Sequence, residues 1–164
     1  MAKKKSYLMQ FRRRRDQKTN YRKRLALVKS GKTRVVIRRS LKNISVQFIN
    51  YDAHGDKTIV TAFSTELKKH GWNRTGNVPA SYLTGLLAGK RAKEKKIDEA
   101  ILDTGLQIST KGSRIYAALK GVLDAGVNVP HSEKILPDEN RIKGVHISEQ
   151  VSKQFEEVKN KIGG

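Results

Sequence analysis

The sequence predicts an α/β fold whose mixed sheet combines an antiparallel meander with a β-α-β crossover. Three β-branched or alternating segments follow one another between residues 34 and 62, separated by tight turns, as in a meander. Helical periodicity then alternates with short apolar runs up to residue 129, which is typical of parallel crossover connections. A length of 164 residues suits one hydrophobic core of ordinary size.

The predicted organisation is one domain with a basic arm before it and a helical extension after it. Residues 1–19 form the arm, residues 20–130 the α/β domain, and residues 131–164 a C-terminal loop and helix that extend the same domain. The first 39 residues hold 16 Lys or Arg and one acid. Because such a stretch repels itself, we expect the arm to be extended or mobile until a polyanion neutralises it.

The first helix is expected over residues 21–28, with Asn20 as its N-cap. Tyr21, Leu25 and Val28 recur at spacings of four and three, which places them on one face. The other face is nearly all cation.

The meander follows this helix. Its strands are expected at residues 34–39, 44–49 and 58–62, with a tight connection at residues 40–43. In the second strand, alternate residues from Ile44 are apolar and those between them are mostly polar. One face of the sheet is therefore predicted to be core and the other amphipathic.

Helices and short strands alternate in the second half of the domain. Ser64 can cap a short helix, and Asn77 can cap a longer one from Pro79 to about Lys96. A buried strand is expected within residues 97–106.

The end of the chain is predicted to complete the crossover and then leave the sheet. A helix that opens at Gly112-Ser113 leads to a final strand at residues 127–129. Residues 131–144 are expected to be a loop, and Ser148 can cap a terminal helix. Because that helix is charge-balanced, we expect it to pack on protein rather than on RNA.

The composition indicates a polyanionic partner. There are 35 Lys and Arg against 15 Asp and Glu, a net charge of +20, and a field of this sign attracts nucleic acid or other polyanions. With no cysteine, disulfides, thiolate metal sites and cysteine nucleophiles are excluded. The longest apolar-leaning stretch, residues 78–89, is far shorter than the roughly 20 residues of a membrane span, and no secretory signal is visible.

Aromatic residues in the basic region favour RNA over the alternative of a solubilising or nuclear-targeting tail. Tyr7, Phe11 and Tyr21 are interleaved with the runs Lys3–Lys5 and Arg12–Arg15. Aromatic rings stack on bases, and arginine can both pair with phosphate and stack. RNA binding is therefore expected of the arm and of the domain at residues 20–130.

Catalysis is not indicated. Asp52, Asp56 and Asp103 could converge as a magnesium-dependent nuclease, but they also fit ordinary turn residues and a strand-end cap, which we favour. The Gly-Lys-Thr at residues 31–33 lacks the earlier glycine of a phosphate-binding loop. No cofactor and no metal site are expected. A nonspecific nucleic-acid architectural protein remains a second alternative.

A phosphate contact is predicted where the second long helix of the domain begins. Lys111, Gly112, Ser113 and Arg114 combine the free backbone N–H groups of a helix start with two flanking cations. The alternative is a plain N-cap with exposed bases. Trp72, the single tryptophan, is expected in the core rather than as a stacking platform.

Several motifs together resemble a known family. They are the segments at residues 19–25, 34–38, 40–44, 71–72, 82–89, 99–103, 117–121 and 124–126. In these motifs the chain resembles, nearly end to end, large-subunit ribosomal protein number eighteen, the universal 5S rRNA-binding family. Residues 71–96 and 137–147 are similar to archaeal and eukaryotic members, and the length favours the archaeal form.

The resemblance implies a three-layer α/β fold and a structural constituent of the large ribosomal subunit, without catalysis, in the cytoplasm. Such a protein binds 5S rRNA and helps attach it to the large-subunit rRNA at the central protuberance. The implied partners are 5S rRNA, large-subunit rRNA and neighbouring large-subunit ribosomal proteins, with no membrane and no small-molecule substrate.

The residues that the resemblance assigns to RNA contact lie in the basic N-terminal region and the meander. They are Arg12, Arg13, Arg14, Arg15, Tyr21, Arg22, Arg24, Arg34, Arg38, Ser40, Lys42, Asn43 and Gln47.

Overall fold

The computed structural model describes residues 8–163 and contains one mixed sheet in that range. Its strands are β1 (Arg34–Arg39), β2 (Ile44–Asn50), β3 (Lys57–Phe63) and β4 (Ile101–Asp103). The order across the sheet is β3-β2-β1-β4, with antiparallel pairing throughout the meander and parallel pairing of β4 with β1. The predicted α/β class and the predicted meander are confirmed.

Helices precede, follow and interrupt the strands. The α-helices in residues 8–163 are α1 (Arg12–Arg15), α2 (Tyr21–Lys29), α3 (Val78–Glu94), α4 (Arg114–Asp124), α5 (Glu139–Lys143) and α6 (Glu149–Gly163), and the 3₁₀ helices are Ser64–His70 and Glu133–Ile135. None of the helices in this range is long and apolar enough to cross a membrane. The predicted caps Asn20, Asn77 and Ser148 each accept a backbone hydrogen bond at the start of their helix.

The two faces of the sheet differ as the alternation predicts. Ile44, Val46 and Phe48 of β2 are buried, and the residues between them are partly exposed. α3 and α4 pack on the buried face and make the largest helix-to-helix contact of the fold. The opposite face presents Arg34 and Arg38 of β1 toward α2, so the sheet separates a hydrophobic layer from a polar one.

α3 and α4 touch through their backbones because glycine lies at the crossing. A Cβ on Gly85 would overlap the Ala118 carbonyl group, and a Cβ on Gly121 would overlap the Tyr82 carbonyl group. Interiors are packed as densely as crystals, so any larger residue would force the helices apart. This close contact fixes the start of α4 relative to the sheet.

The terminal helix α6 packs on its own domain. Phe155 lies with its ring centroid 6.4 Å from that of Trp72 and 5.5 Å from that of Tyr82. Trp72 is buried, so its predicted place in the core is confirmed. This charge-balanced helix was predicted to pack on protein. Within residues 8–163 it packs on its own chain.

The predicted final strand at residues 127–129 is reduced to a single parallel bridge between Asn128 and Glu99. The amide of Asn128 donates to Asp98, and its carbonyl accepts from Ala100. The ladder stops there because Pro130 has no N–H to donate. The crossover is therefore present, but the strand that should close it is one residue long.

Two further predictions were wrong locally. Ser64 is not an N-cap; its hydroxyl accepts a hydrogen bond from the Ile44 amide and donates to the Asn43 side chain, which ties the 3₁₀ helix to the start of β2. The expected loop at residues 131–144 contains α5, which buries Ile142 and ends at Gly144 with a φ of +76°. A short apolar anchor and a glycine stop were enough to form one turn of helix there.

Candidate RNA-binding surface

Within the described residues, the arm has no regular secondary structure at residues 8–11 and then forms one helical turn, α1. All four arginines of α1 are exposed. The Arg13 carbonyl accepts hydrogen bonds from the amides of Lys18 at 2.8 Å and Thr19 at 3.3 Å, and Arg13 Nε donates to the Thr19 hydroxyl at 2.8 Å. Of the expected extended or mobile arm, the extended alternative is therefore wrong for residues 12–15, because backbone and side-chain bonds fold this turn back against the start of α2; the mobile alternative stays a prediction.

An aromatic pair links this turn to α2. The ring centroids of Phe11 and Tyr21 are 5.3 Å apart with the planes inclined by 51°. Phe11 is exposed and Tyr21 is half-buried. Two of the three rings that were expected to stack on bases are thus brought together, whereas the third, Tyr7, and Lys3–Lys5 lie outside the described residues.

α2 packs on the body of the protein through a partly buried side that combines one arginine, Arg24, with Tyr21, Leu27 and Val28. Of the expected face, Tyr21 and Val28 are partly buried, whereas Leu25 is 56% exposed. Arg24 instead points inward and pairs with Asp56, at a nitrogen-to-oxygen distance of 2.8 Å. The packed side of α2 is therefore rotated from the predicted apolar face toward Arg24 and Leu27, because Arg24 pairs with the carboxylate of Asp56.

Arg34 is the centre of a buried ion network beneath α2. Its side chain is 3% exposed; one terminal nitrogen lies 2.7 Å from Asp56 Oδ2 and the other 3.2 Å from Asp103 Oδ2. Asp56 also receives Arg24, and Asp103 also receives Arg38 at 2.9 Å. The network joins α2, the turn before β3, β1 and β4, and it encloses the Arg34 guanidinium within the protein.

The network lowers the pKa of Asp56. Burial by itself raises the pKa of this carboxyl, but hydrogen bonds and charge from Arg34 and Arg24 outweigh burial and hold it below the ordinary value. A depressed pKa in the folded state stabilises the fold at any pH above the unfolded value of about 4, and this contribution is lost as the pH falls through the folded pKa.

We expect Asp56→Asn to destabilise the protein most at neutral pH. Below pH 4 the difference from wild type should shrink, because a protonated Asp resembles Asn in charge. Denaturant unfolding at pH values from 2.5 to 7 measures this difference. Glu157→Gln, an exposed acid of α6, is the matched control and should leave the profile unchanged. A difference between Asp56→Asn and wild type that does not vary with pH would contradict the role of the ion pairs.

The three acids of the nuclease alternative are neutralised by cations. Asp52 pairs with Lys57 at 2.6 Å, and Asp56 and Asp103 share Arg34. Over residues 8–163, no group of three or more acids or histidines is arranged to hold a metal ion. The geometry assigns these carboxylates to structure, as the turn and strand-end interpretation predicts.

The connection between β1 and β2 is built from predicted RNA-binding residues. The amide and hydroxyl of Ser40 both donate to the Asn43 carbonyl, and the Asn43 amide donates back to the Ser40 hydroxyl. Lys42 is exposed at the tip, and Leu41 beside it is 94% exposed. Gln47 lies half-buried in the middle of β2, on the face opposite the core. Ser40 and Asn43 shape the turn, and Lys42 is its exposed cation.

At the start of α4, several donor groups that were predicted to bind phosphate are already hydrogen-bonded within the protein. The Gly112 amide donates to Ile135 at 3.0 Å and the Ser113 amide to Thr110 at 3.2 Å. Arg114 donates to the carbonyls of Gly76 at 2.8 Å and Leu41 at 3.3 Å. Lys111 is exposed. Arg114 therefore holds the β1–β2 turn, so the two sets of predicted residues are neighbours.

A cleft lies between the arm, α2 and the loop that follows β4. Its volume is about 400 Å³, and Arg13, Arg24 and Arg38 line it together with two lysines that the sequence reasoning did not single out, Lys18 and Lys23. The basic character of this region was the available signal for both lysines. No sequence signal marked Leu106, which also lines the cleft, because it follows the strand that comes beside β1 only in the folded chain.

Comparison with known proteins gives consistent matches. Residues 5–99 and 92–132 match the family described as "Ribosomal large subunit proteins 60S L5, and 50S L18". "Large ribosomal subunit protein uL18" of Korarchaeum cryptofilum (strain OPF8) is 59% identical over 158 residues, covering 96% of this chain and 81% of that relative. The protein of the same name from Methanothermobacter thermautotrophicus is 50% identical over 152 residues, covering 92% of this chain and 79% of the relative.

Proposed function

Since the chain belongs to the family of large-subunit ribosomal proteins 60S L5 and 50S L18, in its archaeal form, we propose that it binds 5S rRNA and helps attach it to the large-subunit rRNA at the central protuberance. Members of this family are structural constituents of the ribosome and not enzymes. Large-subunit rRNA and ribosomal proteins are accordingly its partners. The 5S rRNA and the position on the subunit are the parts that we propose.

The exposed cations of α1 and the outer side of α2 carry this proposal. Arg12–Arg15 and Arg22 project from the body beside the ring pair of Phe11 and Tyr21. Asp16 is the one acid among the first 39 residues. Phosphate pairing by arginine, combined with aromatic stacking on unpaired bases, is how proteins bind structured RNA.

The ion network under α2 supports the proposal by fixing where these cations point. Arg34 is enclosed by Asp56 and Asp103 and positions the surface from below, without an exposed group of its own. Arg24 pairs with Asp56 and also lines the cleft. In this arrangement Arg24 and Arg34 hold α2 on the sheet, and the neighbouring exposed arginines contact phosphate.

The β1–β2 turn supplies a second contact of different character. Lys42 is exposed on a turn that internal hydrogen bonds and Arg114 hold rigid. A rigid polar turn can fix the register of the RNA, whereas the arm contributes mainly charge. Lys111 is exposed at the start of α4, and we assign it to phosphate as a single cation rather than as part of a helix-start site.

Competition binding tests the proposal. Labelled 5S rRNA bound to the protein is challenged at physiological salt with unlabelled 5S rRNA, with transfer RNA and with duplex DNA. We expect 5S rRNA to compete at about 10³-fold lower concentration than the duplex, as specific sites exceed nonspecific ones. Equal competition by all three would indicate a nonspecific architectural protein. The RNA should remain intact with magnesium present; cleavage that Asp103→Asn abolishes would indicate a nuclease.

A further inference from the structure

The Arg38 guanidinium is held in a fixed plane at the wall of the cleft. One terminal nitrogen donates to the Ile37 carbonyl at 3.0 Å and to the Asp103 carbonyl at 2.6 Å, and the other donates to Asp103 Oδ1 at 2.9 Å. Three hydrogen bonds to the protein leave the group little freedom to turn toward a phosphate. Its side chain is nevertheless 40% exposed.

Gly105 covers one face of this plane. A Cβ on Gly105 would lie 3.0 Å from Cζ, 3.0 Å from a terminal nitrogen and 3.3 Å from Nε of Arg38. Nearly equal distances to the centre and to two arms of a planar group place Gly105 above its face and not at its edge. The φ of +62° at Gly105 brings the backbone there, and a side chain would displace the guanidinium.

We infer that the opposite face of Arg38 is a stacking platform for one unpaired base of 5S rRNA, inserted into the cleft. This inference rests on the proposed function and assigns Arg38 a role other than phosphate pairing. A guanidinium that is already hydrogen-bonded in its plane can still stack, because stacking uses its face. The cleft, at about 400 Å³, is within the size range of sites for small organic groups.

The remaining walls suit a nucleotide. Leu27 and Leu106 offer apolar surface to the base, and Arg13, Lys18 and Lys23 offer charge to its phosphate. Asp103, the acid of the cleft wall, does not oppose this charge, since Arg34, Arg38 and the Gly105 amide already occupy its oxygens. The apolar walls of the cleft therefore suit the base of a nucleotide, and its cations suit the phosphate.

A double-mutant cycle between protein and RNA tests the inference. The affinity of wild type and of Arg38→Lys is measured for a series of 5S rRNAs, each with one abasic nucleotide at an unpaired position. Lysine keeps the charge but has no plane to stack. At one position we expect base removal to weaken wild-type binding by about 5- to 150-fold and to leave Arg38→Lys binding unchanged. Arg39→Lys, at an exposed position of the same strand, should behave as wild type.

The outcomes separate the inference from the proposed function. A general weakening of Arg38→Lys, with base removal affecting both proteins equally at every position, would overturn the platform, because a structural or phosphate role does not couple to one base. If wild type fails to bind intact 5S rRNA, the proposed function falls and the inference falls with it. Tight binding without any coupled position overturns the inference alone.

Discussion

Replacing Arg12–Arg15 with glutamine should lower the affinity for 5S rRNA by about 10³-fold at ~0.1 M salt. Each phosphate contact changes affinity by about 5- to 8-fold at this salt, because a released counterion contributes a salt slope of roughly 0.7 to 0.9. All four side chains are exposed, so the substitutions remove charge without disturbing the packing of the hydrophobic core. Electrophoretic mobility shift or fluorescence anisotropy with labelled 5S rRNA measures the change.

The control for this prediction removes the same charge elsewhere. Four cations of the C-terminal helices, Lys143, Lys153, Lys159 and Lys161, are changed together to glutamine. If net charge alone attracted the RNA, the two variants would lose affinity equally. We expect the control to lose less than about tenfold, since screened charges act mainly where they touch phosphate. Equal losses, or a loss below tenfold in the arm variant, would contradict an RNA contact at α1.

Arg34→Met should lower the free energy of unfolding by about 1 to 3 kcal/mol. The substitution removes one of the two arginines that pair with each carboxylate of the network, and it leaves an acceptor on each carboxylate without its donor. Here Asp56 would keep only Arg24, and Asp103 would keep only Arg38, in a place where the arginine side chain is 3% exposed. Urea unfolding followed by circular dichroism gives the free energy, and the loosened α2 should also weaken binding to RNA.

Arg39→Met is the matched control for Arg34→Met. Arg39 ends the same strand and is exposed. Substitutions at such positions change stability by about 0.5 kcal/mol or less. An Arg34→Met protein as stable as Arg39→Met would show that the network contributes nothing net to folding, and α2 would then be held by other contacts.

The sequence predicts those parts of the fold that depend on local pattern. The alternation in β2 and the caps at Asn20 and Asn77 need only neighbouring residues, and they are found as expected. The prediction of a final strand at residues 127–129 was wrong in length, because Pro130 has no N–H group with which to continue the hydrogen-bonded ladder. α5 was missed because one buried side chain, Ile142, carries most of its packing.

The positive charge of the surface could be predicted from the sequence. Which arginines form ion pairs inside the protein and which are exposed to RNA could not. Arg34 and Arg38 lie in one strand and look alike in sequence. Both meet Asp103, at separations of 69 and 65 residues, only because β4 pairs in parallel with β1. Local pattern carries no information on that pairing. Leu25 was misplaced for the same reason, since Asp56 draws Arg24 inward across the sheet.

The salt dependence of 5S rRNA binding by the unmodified protein tests the central claim most directly. If the cationic surface of α1, α2 and the β1–β2 turn neutralises about six to ten phosphates, the affinity should fall by about 10³- to 10⁵-fold between 50 and 200 mM salt. A plot of the logarithm of the dissociation constant against that of the salt concentration gives the slope. An affinity that changes by less than about tenfold over this range would contradict the account.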